Sequence, residues 1–185
     1  MSAFSQRHIV LGVCGGIAAY KAAGLASRLV QQGAEVQTVM TENATRFVSP
    51  LTFDSLTGRR TAVAMFDEHR PREHGHVELA QWAELVLVVP ATANIIGKLW
   101  AGIADDLLST VLLAARCPVL LCPAMNTNMW ESPVLQRNIA ELKKLGYAFV
   151  EPEEGYLACG MVGKGRLASE EAILAAAEQL LQPRA

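Results

Sequence analysis

Charge is sparse in this sequence and nowhere concentrated. Asp, Glu, Lys and Arg make up 18% of the 185 residues, and the net charge is -2. No Lys/Arg-rich run occurs and no stripe of interleaved basic and aromatic residues, so the footprint by which proteins hold nucleic acid is missing. Long apolar runs are missing as well. No stretch reaches the roughly 18 apolar residues of a membrane helix, and Met1 to Val10 lacks the charged-then-apolar order of a secretory leader. The expectation is a cytoplasmic chain with neither a membrane nor a nucleic acid as partner. Cysteine occurs at Cys14, Cys117, Cys122 and Cys159, without a CxxC pair or zinc-ligand spacing. These read as free thiols of a reducing compartment.

What the chain does have is apolar content. At 51% hydrophobic residues it can bury a real core, and its length predicts one domain over residues 1–185. A mean hydropathy of +0.24 is high for a small soluble monomer and points to surface covered by a partner subunit. The runs His8–Val13, Leu85–Val89 and Val119–Cys122 read as strands buried on both faces, joined by Ala34–Met40 and a last strand at Tyr147–Val150. Helical spacing intervenes: Ile17 to Gln32, with Ile17, Leu25 and Leu29 on one face, then shorter segments, and a final helix after Ser169. Asp105 or Asp106 and Ser132 read as helix starts, Gly102 and Gly146 as stops. Strands alternating with helices predict an α/β fold, a single-domain Rossmann-like or flavodoxin-like open parallel sheet with helices on both faces. Glu151 to Leu167, carrying Gly155, Gly160, Gly163 and Gly165, reads as a long loop of the kind that is either a lid or disordered.

The stretch Pro123-Ala124-Met125-Asn126-Thr127-Asn128-Met129-Trp130 stands out against that frame. Pro123 has no N–H to donate, so it is expected to end its strand's ladder and start a loop over the ligand crevice. Two Met, a Trp and two Asn suit a flat organic ligand, or else a core or subunit contact. Pro90-Ala91-Thr92-Ala93-Asn94 ends another strand the same way, so both loops are expected to line one crevice.

Gly12, Gly15 and Gly16 do not have the spacing of the dinucleotide fingerprint, and Thr41 stands where the ribose-binding acid is expected. A mononucleotide phosphate held by Gly15, Gly16 and the Thr41 hydroxyl fits better than a dinucleotide, and a turn that needs glycine only for its backbone is the plain alternative. His69, His74 and His76 with Glu73 and Glu78 show no established metal-ligand spacing, so no metal is expected. They remain either a solvated loop or a source of one imidazole facing the crevice.

Five segments resemble one family, the homo-oligomeric flavin-containing cysteine decarboxylases, over essentially the whole chain. They are Gly15-Gly16-Ile17-Ala18-Ala19-Tyr20-Lys21, His76-Val77-Glu78-Leu79, the Pro90 and Pro123 stretches, and Ala158-Cys159-Gly160-Met161-Val162-Gly163-Lys164-Gly165-Arg166. The last is similar to the substrate clamp of the family's phosphopantothenoylcysteine branch. The resemblance implies FMN, with its phosphate near Gly16 and Thr41 and its ribityl chain and ring against Asn43, Thr92, Ala93, Asn94 and Ala124. It implies a substrate carboxylate held by Asn126, a pocket completed by Met129, Ala158 and Gly160, and His76 and Cys159 as the catalytic pair. The implied reaction is decarboxylation of phosphopantothenoylcysteine to phosphopantetheine in coenzyme A biosynthesis, through thioaldehyde and enethiolate stages. His76 would deprotonate or orient the substrate, and Cys159 would supply the proton for reducing the enethiolate. Sites between subunits of a trimer, in some members assembled further to a dodecamer, and a fused or separate phosphopantothenate–cysteine ligase are implied as partners. Gly16 stands where many members have Ser and Ile95 where many have Thr. A flavin prenyltransferase of related fold, without the clamp, and a regulatory flavoprotein, usually with long acidic tails, are the rival expectations.

Overall fold

The computed structural model describes residues 2–66, 75–158, 160 and 162–182. Five strands form one sheet: β1 (His8–Val13), β2 (Glu35–Met40), β3 (Leu85–Ala91), β4 (Val119–Pro123) and β5 (Ala148–Phe149). Their order is β2-β1-β3-β4-β5 and every pairing is parallel. This is the flavodoxin-like order, in which the chain reverses its direction of growth between β1 and β3 and leaves a crevice at their carboxyl ends.

Alternation along the strands explains the layers. Ile9, Leu11, Leu85, Leu87 and Val89 join one buried cluster, while Val10, Val86, Val88 and Leu121 join another. The first cluster is covered by α1 (Ala19–Gln31), α2 (Pro50–Thr57) and α8 (Glu170–Leu181), through Leu25, Phe53 and Ile173. The second is covered by α3 (His76–Trp82), α4 (Ala93–Ala101), α5 (Leu107–Ala114) and α7 (Pro133–Lys144), through Leu79, Ile96, Leu108 and Ile139. A sheet buried on both faces is why its central strands read as unbroken apolar runs. Among the described residues no helix is long and apolar enough to cross a membrane.

The sequence expectations need three corrections. Neither proline stops its strand: β3 continues through Pro90 to Ala91, which pairs with Pro123 at the end of β4. Proline loses a donor but keeps its acceptor, and the Pro90 and Ala91 carbonyls accept from the Cys14 N–H (3.3 Å) and the Ala124 N–H (3.2 Å). Ile17 is not on the buried face of α1; it precedes the helix and is exposed. The two alternatives left open for the Pro123–Trp130 stretch divide between neighbours: Trp130 is core, while Met129 is half exposed on the short helix α6 (Thr127–Trp130).

Third, Tyr147–Val150 does hold a strand, β5, but it is not the last, and 151–167 is not a loop. β6 (Glu153–Tyr156) and β7 (Val162–Arg166) form an antiparallel hairpin. Its glycines hid it from propensity, yet they are what lets it dock. A Cβ on Gly163 would sit 2.6 Å from the Thr127 hydroxyl, and one on Gly165 2.2 Å from the Met125 carbonyl oxygen. The Gly165 carbonyl in turn accepts from the Met125 N–H at 2.9 Å. Lys164 adds an ion pair to Glu151 (2.7 Å) and lies over the Trp130 ring at 5.6 Å.

Candidate active site

The carboxyl ends of β1, β3 and β4 and the inner side of the hairpin enclose a cavity of ≈ 590 Å³, within the range typical of small-molecule sites. The turn after β1 brings Gly15 and Gly16 to it. The segment after β3 brings Thr92 and Ala93, and the loop after β4 brings Ala124, Asn126 and Met129. Ala158 closes it from the hairpin.

The turn after β1 is an anion cradle. Ala18, at the head of α1, has no side chain with which to cap the helix. The Ala19 N–H donates to the Gly16 carbonyl at 2.9 Å, but among the described residues the Gly16, Ile17 and Ala18 N–H groups find no acceptor. Uncapped N–H groups at the positive end of a helix suit a phosphate. Only one of the two glycines is forced by packing: a Cβ on Gly15 would lie 2.6 Å from the Asn43 Cβ and 2.7 Å from its carbonyl carbon, whereas one on Gly16 meets nothing within 4 Å. A Cβ at position 16 would therefore be accommodated without adjustment.

The loops after β3 and β4 are held by their own side chains. Thr92 Oγ1 accepts from the Ile95 N–H at 3.4 Å and caps α4, while Asn126 Oδ1 accepts from the Asn128 N–H at 2.8 Å and caps α6. Lys98 on α4 is pinned between Asp105 and Asp106, at 2.6 Å from each, and Asp106 caps α5 with Ser109 in a reciprocal box. Burial alone would raise the Asp106 carboxyl, but the Lys98 ammonium and the Ser109 donors outweigh it and hold it below its ordinary value. The single ammonium thus holds both carboxylates in place, although it offsets the charge of only one of them.

Some predicted site residues stand apart from the cavity wall. Thr41 spends its hydroxyl oxygen accepting from the Ala44 N–H at 3.3 Å. Asn43 backs Gly15 with its side chain exposed, and Asn94 is exposed in the first turn of α4. Gly160 closes the hairpin tip, at φ +84°, by donating its N–H to the Leu157 carbonyl. His76 opens α3, which packs on α5 beneath the other face of the sheet. Cys159, Met161, His69, Glu73 and His74 lie outside the described residues, and among those described no group of three or more His, Cys, Asp and Glu could hold a metal. Cys14, behind Thr92, is no nucleophile: burial pushes its thiol up to about 12, against hydrogen bonds from the Thr92 backbone and hydroxyl.

Sequence reasoning assigned no role to Tyr20, Lys21, Leu157, Arg166 or Leu167, all of which line the cavity. Lys21 and Arg166 ended two of the quoted segments. Nothing local marks them, since they come to one cavity only through the tertiary fold.

Comparison with known proteins agrees with this geometry. The chain matches the family described as Flavoprotein over residues 2–182. It is 54% identical over 175 residues, 95% of its length, to the coenzyme A biosynthesis bifunctional protein CoaBC of Bacillus subtilis (strain 168). It is 44% identical over 184 residues, 100% of its length, to the protein of the same name from Vibrio vulnificus (strain YJ016). It spans only 43% and 46% of those two relatives' own length. Among solved structures it resembles the FMN-dependent cysteine decarboxylase SpaF, with 34% identity and a TM-score of 0.79, covering 94% of this chain and 99% of that one. It also resembles a mutant PPC decarboxylase complexed with pantothenoylaminoethenethiol, with 27% identity and a TM-score of 0.81, covering 94% and 97%.

Proposed function

Because this chain belongs to the flavoprotein family, we propose that its cavity binds FMN and decarboxylates phosphopantothenoylcysteine to phosphopantetheine in coenzyme A biosynthesis. The observation that carries this reading is the meeting, in one cavity, of the open N–H groups of Gly16, Ile17 and Ala18 with Asn126 and the hairpin tip at Ala158. The first suits the FMN phosphate, with Gly15, Thr92, Ala93 and Ala124 along the rest of the cofactor and Thr41, Asn43 and Asn94 at its margin. Bound FMN would supply the reversible two-electron chemistry that lets a carboxylate with no adjacent electron sink leave as CO2 without net oxidation.

The chain's own residues then have distinct tasks. Asn126, fixed by capping α6, presents its amide to the substrate carboxylate. His76 deprotonates or orients the substrate, a task that an imidazole can perform. Cys159 returns a proton when the enethiolate left by CO2 loss is reduced, and Met129, Ala158 and Gly160 bind the substrate. The test incubates purified FMN-loaded protein with phosphopantothenoylcysteine under anaerobic conditions, following CO2 and product mass. Wild type should give phosphopantetheine, and Cys159→Ser should give CO2 with the dehydrogenated enethiol. A colourless protein that cannot take up FMN sinks the first half, and normal product from Cys159→Ser sinks the role of Cys159.

His76 lies away from the cavity of its own chain, so we place it in the cavity of a neighbour. This implies a cytoplasmic homo-oligomer built from trimers, extending to a dodecamer. The exposed apolar residues Trp100, Ile103 and Leu113 on the α4–α5 side offer surface for that contact. The names of the bifunctional relatives support a phosphopantothenate–cysteine ligase as a fused or separate partner. His76→Asn and Asn126→Asp should each be inactive, and refolded together they should regain activity, since some mixed sites carry both wild-type residues. Failure to regain it, with mixed oligomers present by mass spectrometry, would place both residues in one subunit's site.

A further inference from the structure

A second cavity, of ≈ 400 Å³, adjoins the first and is bounded by α1, β3 and the start of α8. The two share Tyr20, Lys21, Arg166 and Leu167, so a lysine from α1 and an arginine from the end of β7 stand at their junction. Elsewhere cations such as Arg28, Lys98 and Lys164 sit against a carboxylate, at 3.3, 2.6 and 2.7 Å. Among the described residues neither Lys21 nor Arg166 has such a partner. The nearby acid in the second cavity, Glu170, is occupied by Arg28 at 3.3 Å. Two cations brought together without a counter-ion repel one another, and the arrangement becomes favourable when an anion joins them.

Resting on the substrate class given above, we infer that Lys21 and Arg166 bind a phosphomonoester dianion, the phosphate at the far end of the substrate from the carboxylate at Asn126. The same cavity is lined by Tyr20, Leu157 and Leu167, uncharged surface that fits the arm joining carboxylate and phosphate. Gly155 on β6 has a structural reason in the same place: a Cβ there would lie 3.2 Å from Arg166 Cδ and 3.3 Å from Nη1, so glycine leaves the guanidinium its course. Arg166 rides on the hairpin and Lys21 does not. Binding the phosphate would therefore tie the hairpin to α1 and couple substrate length to closure over the reacting end.

A phosphomonoester could also come from FMN, whose own phosphate we place one turn earlier, at Gly16 to Ala18. The experiment separates the two sources. FMN-loaded wild type, Lys21→Gln and Arg166→Gln are each given phosphopantothenoylcysteine and its dephosphorylated counterpart, while retained FMN is read by absorbance. Wild type should prefer the phosphorylated substrate, and each variant should lose about 10- to 100-fold of that preference in kcat/KM, mainly through KM, as expected for lost charge-assisted hydrogen bonds. FMN content should not change. A second readout is calorimetric binding of phosphopantetheine and pantetheine to the same proteins. If no substrate is turned over, the decarboxylase reading fails, and calorimetry alone decides the phosphate site. Loss of FMN from the variants would assign these cations to the cofactor and overturn the inference. An unchanged preference, or equal weakening toward both substrates and both pantetheines, would overturn it as well.

Discussion

Asn126→Asp should keep its fold and its FMN and lose decarboxylation. Asp caps helices as well as Asn does, so the bond from the Asn128 N–H, 2.8 Å long in the native chain, has an equivalent acceptor in the variant. What changes is the other half of the side chain, where amide donors give way to carboxylate oxygen. A substrate carboxylate placed there would meet a like charge and lose its donor. Like-charge contact in a desolvated site costs several kcal/mol, which corresponds to a loss of about 10³-fold or more in kcat/KM. Thermal unfolding and flavin absorbance should match wild type while turnover disappears. If the variant instead sheds FMN and keeps its turnover on reloading, Asn126 serves the cofactor and the substrate role assigned to it is wrong.

Gly165→Ala should be nearly as damaging, by a different route. Its φ of +149° is one that L residues rarely adopt, and the added Cβ would lie 2.2 Å from the Met125 carbonyl oxygen, which is backbone and cannot rotate away. Strain of this sort costs about 1–3 kcal/mol, and it falls on the backbone hydrogen bond, 2.9 Å long, from the Met125 N–H to the Gly165 carbonyl, which joins the hairpin to the 124–126 loop. The hairpin would be expected to lift, separating Ala158 and Arg166 from Asn126. Turnover should fall by about 10²-fold, largely through KM, while the melting temperature drops by only a few degrees. Faster amide hydrogen exchange at 162–166, with the exchange of β1 and β3 unchanged, would mark the lifted hairpin. Wild-type exchange and turnover in this variant would show that close docking is not needed.

Much of the architecture was legible in the residues because it rests on local pattern. The doubly buried strands announce themselves as apolar runs, and the stops at Gly102 and Gly146, both with positive φ, were readable as helix ends. Asp106 and Ser132 stand where helix starts were expected, although only Asp106 makes a side-chain cap. The hairpin was not legible. Its strand pattern in Glu153–Tyr156 and Val162–Arg166 is interrupted by glycines whose purpose is a long-range approach to Thr127 and Met125. Glycine looks the same in a one-dimensional reading whether it serves flexibility or close contact.

By itself, then, the sequence determined the alternation of strands and helices, the positions of the loops after β1, β3 and β4, and the chemistry available in them: open glycine turn, hydroxyl, amide. Each of these depends on neighbours a few residues away. Only the tertiary structure decided that Trp130 belongs to the core and Met129 to the crevice, that Gly15 is compulsory and Gly16 is not, and that Lys21 and Arg166 share a junction. Those outcomes depend on which surfaces meet once the sheet order is set and the hairpin folds back. Contacts between residues more than a hundred positions apart leave no periodicity for a sequence to display.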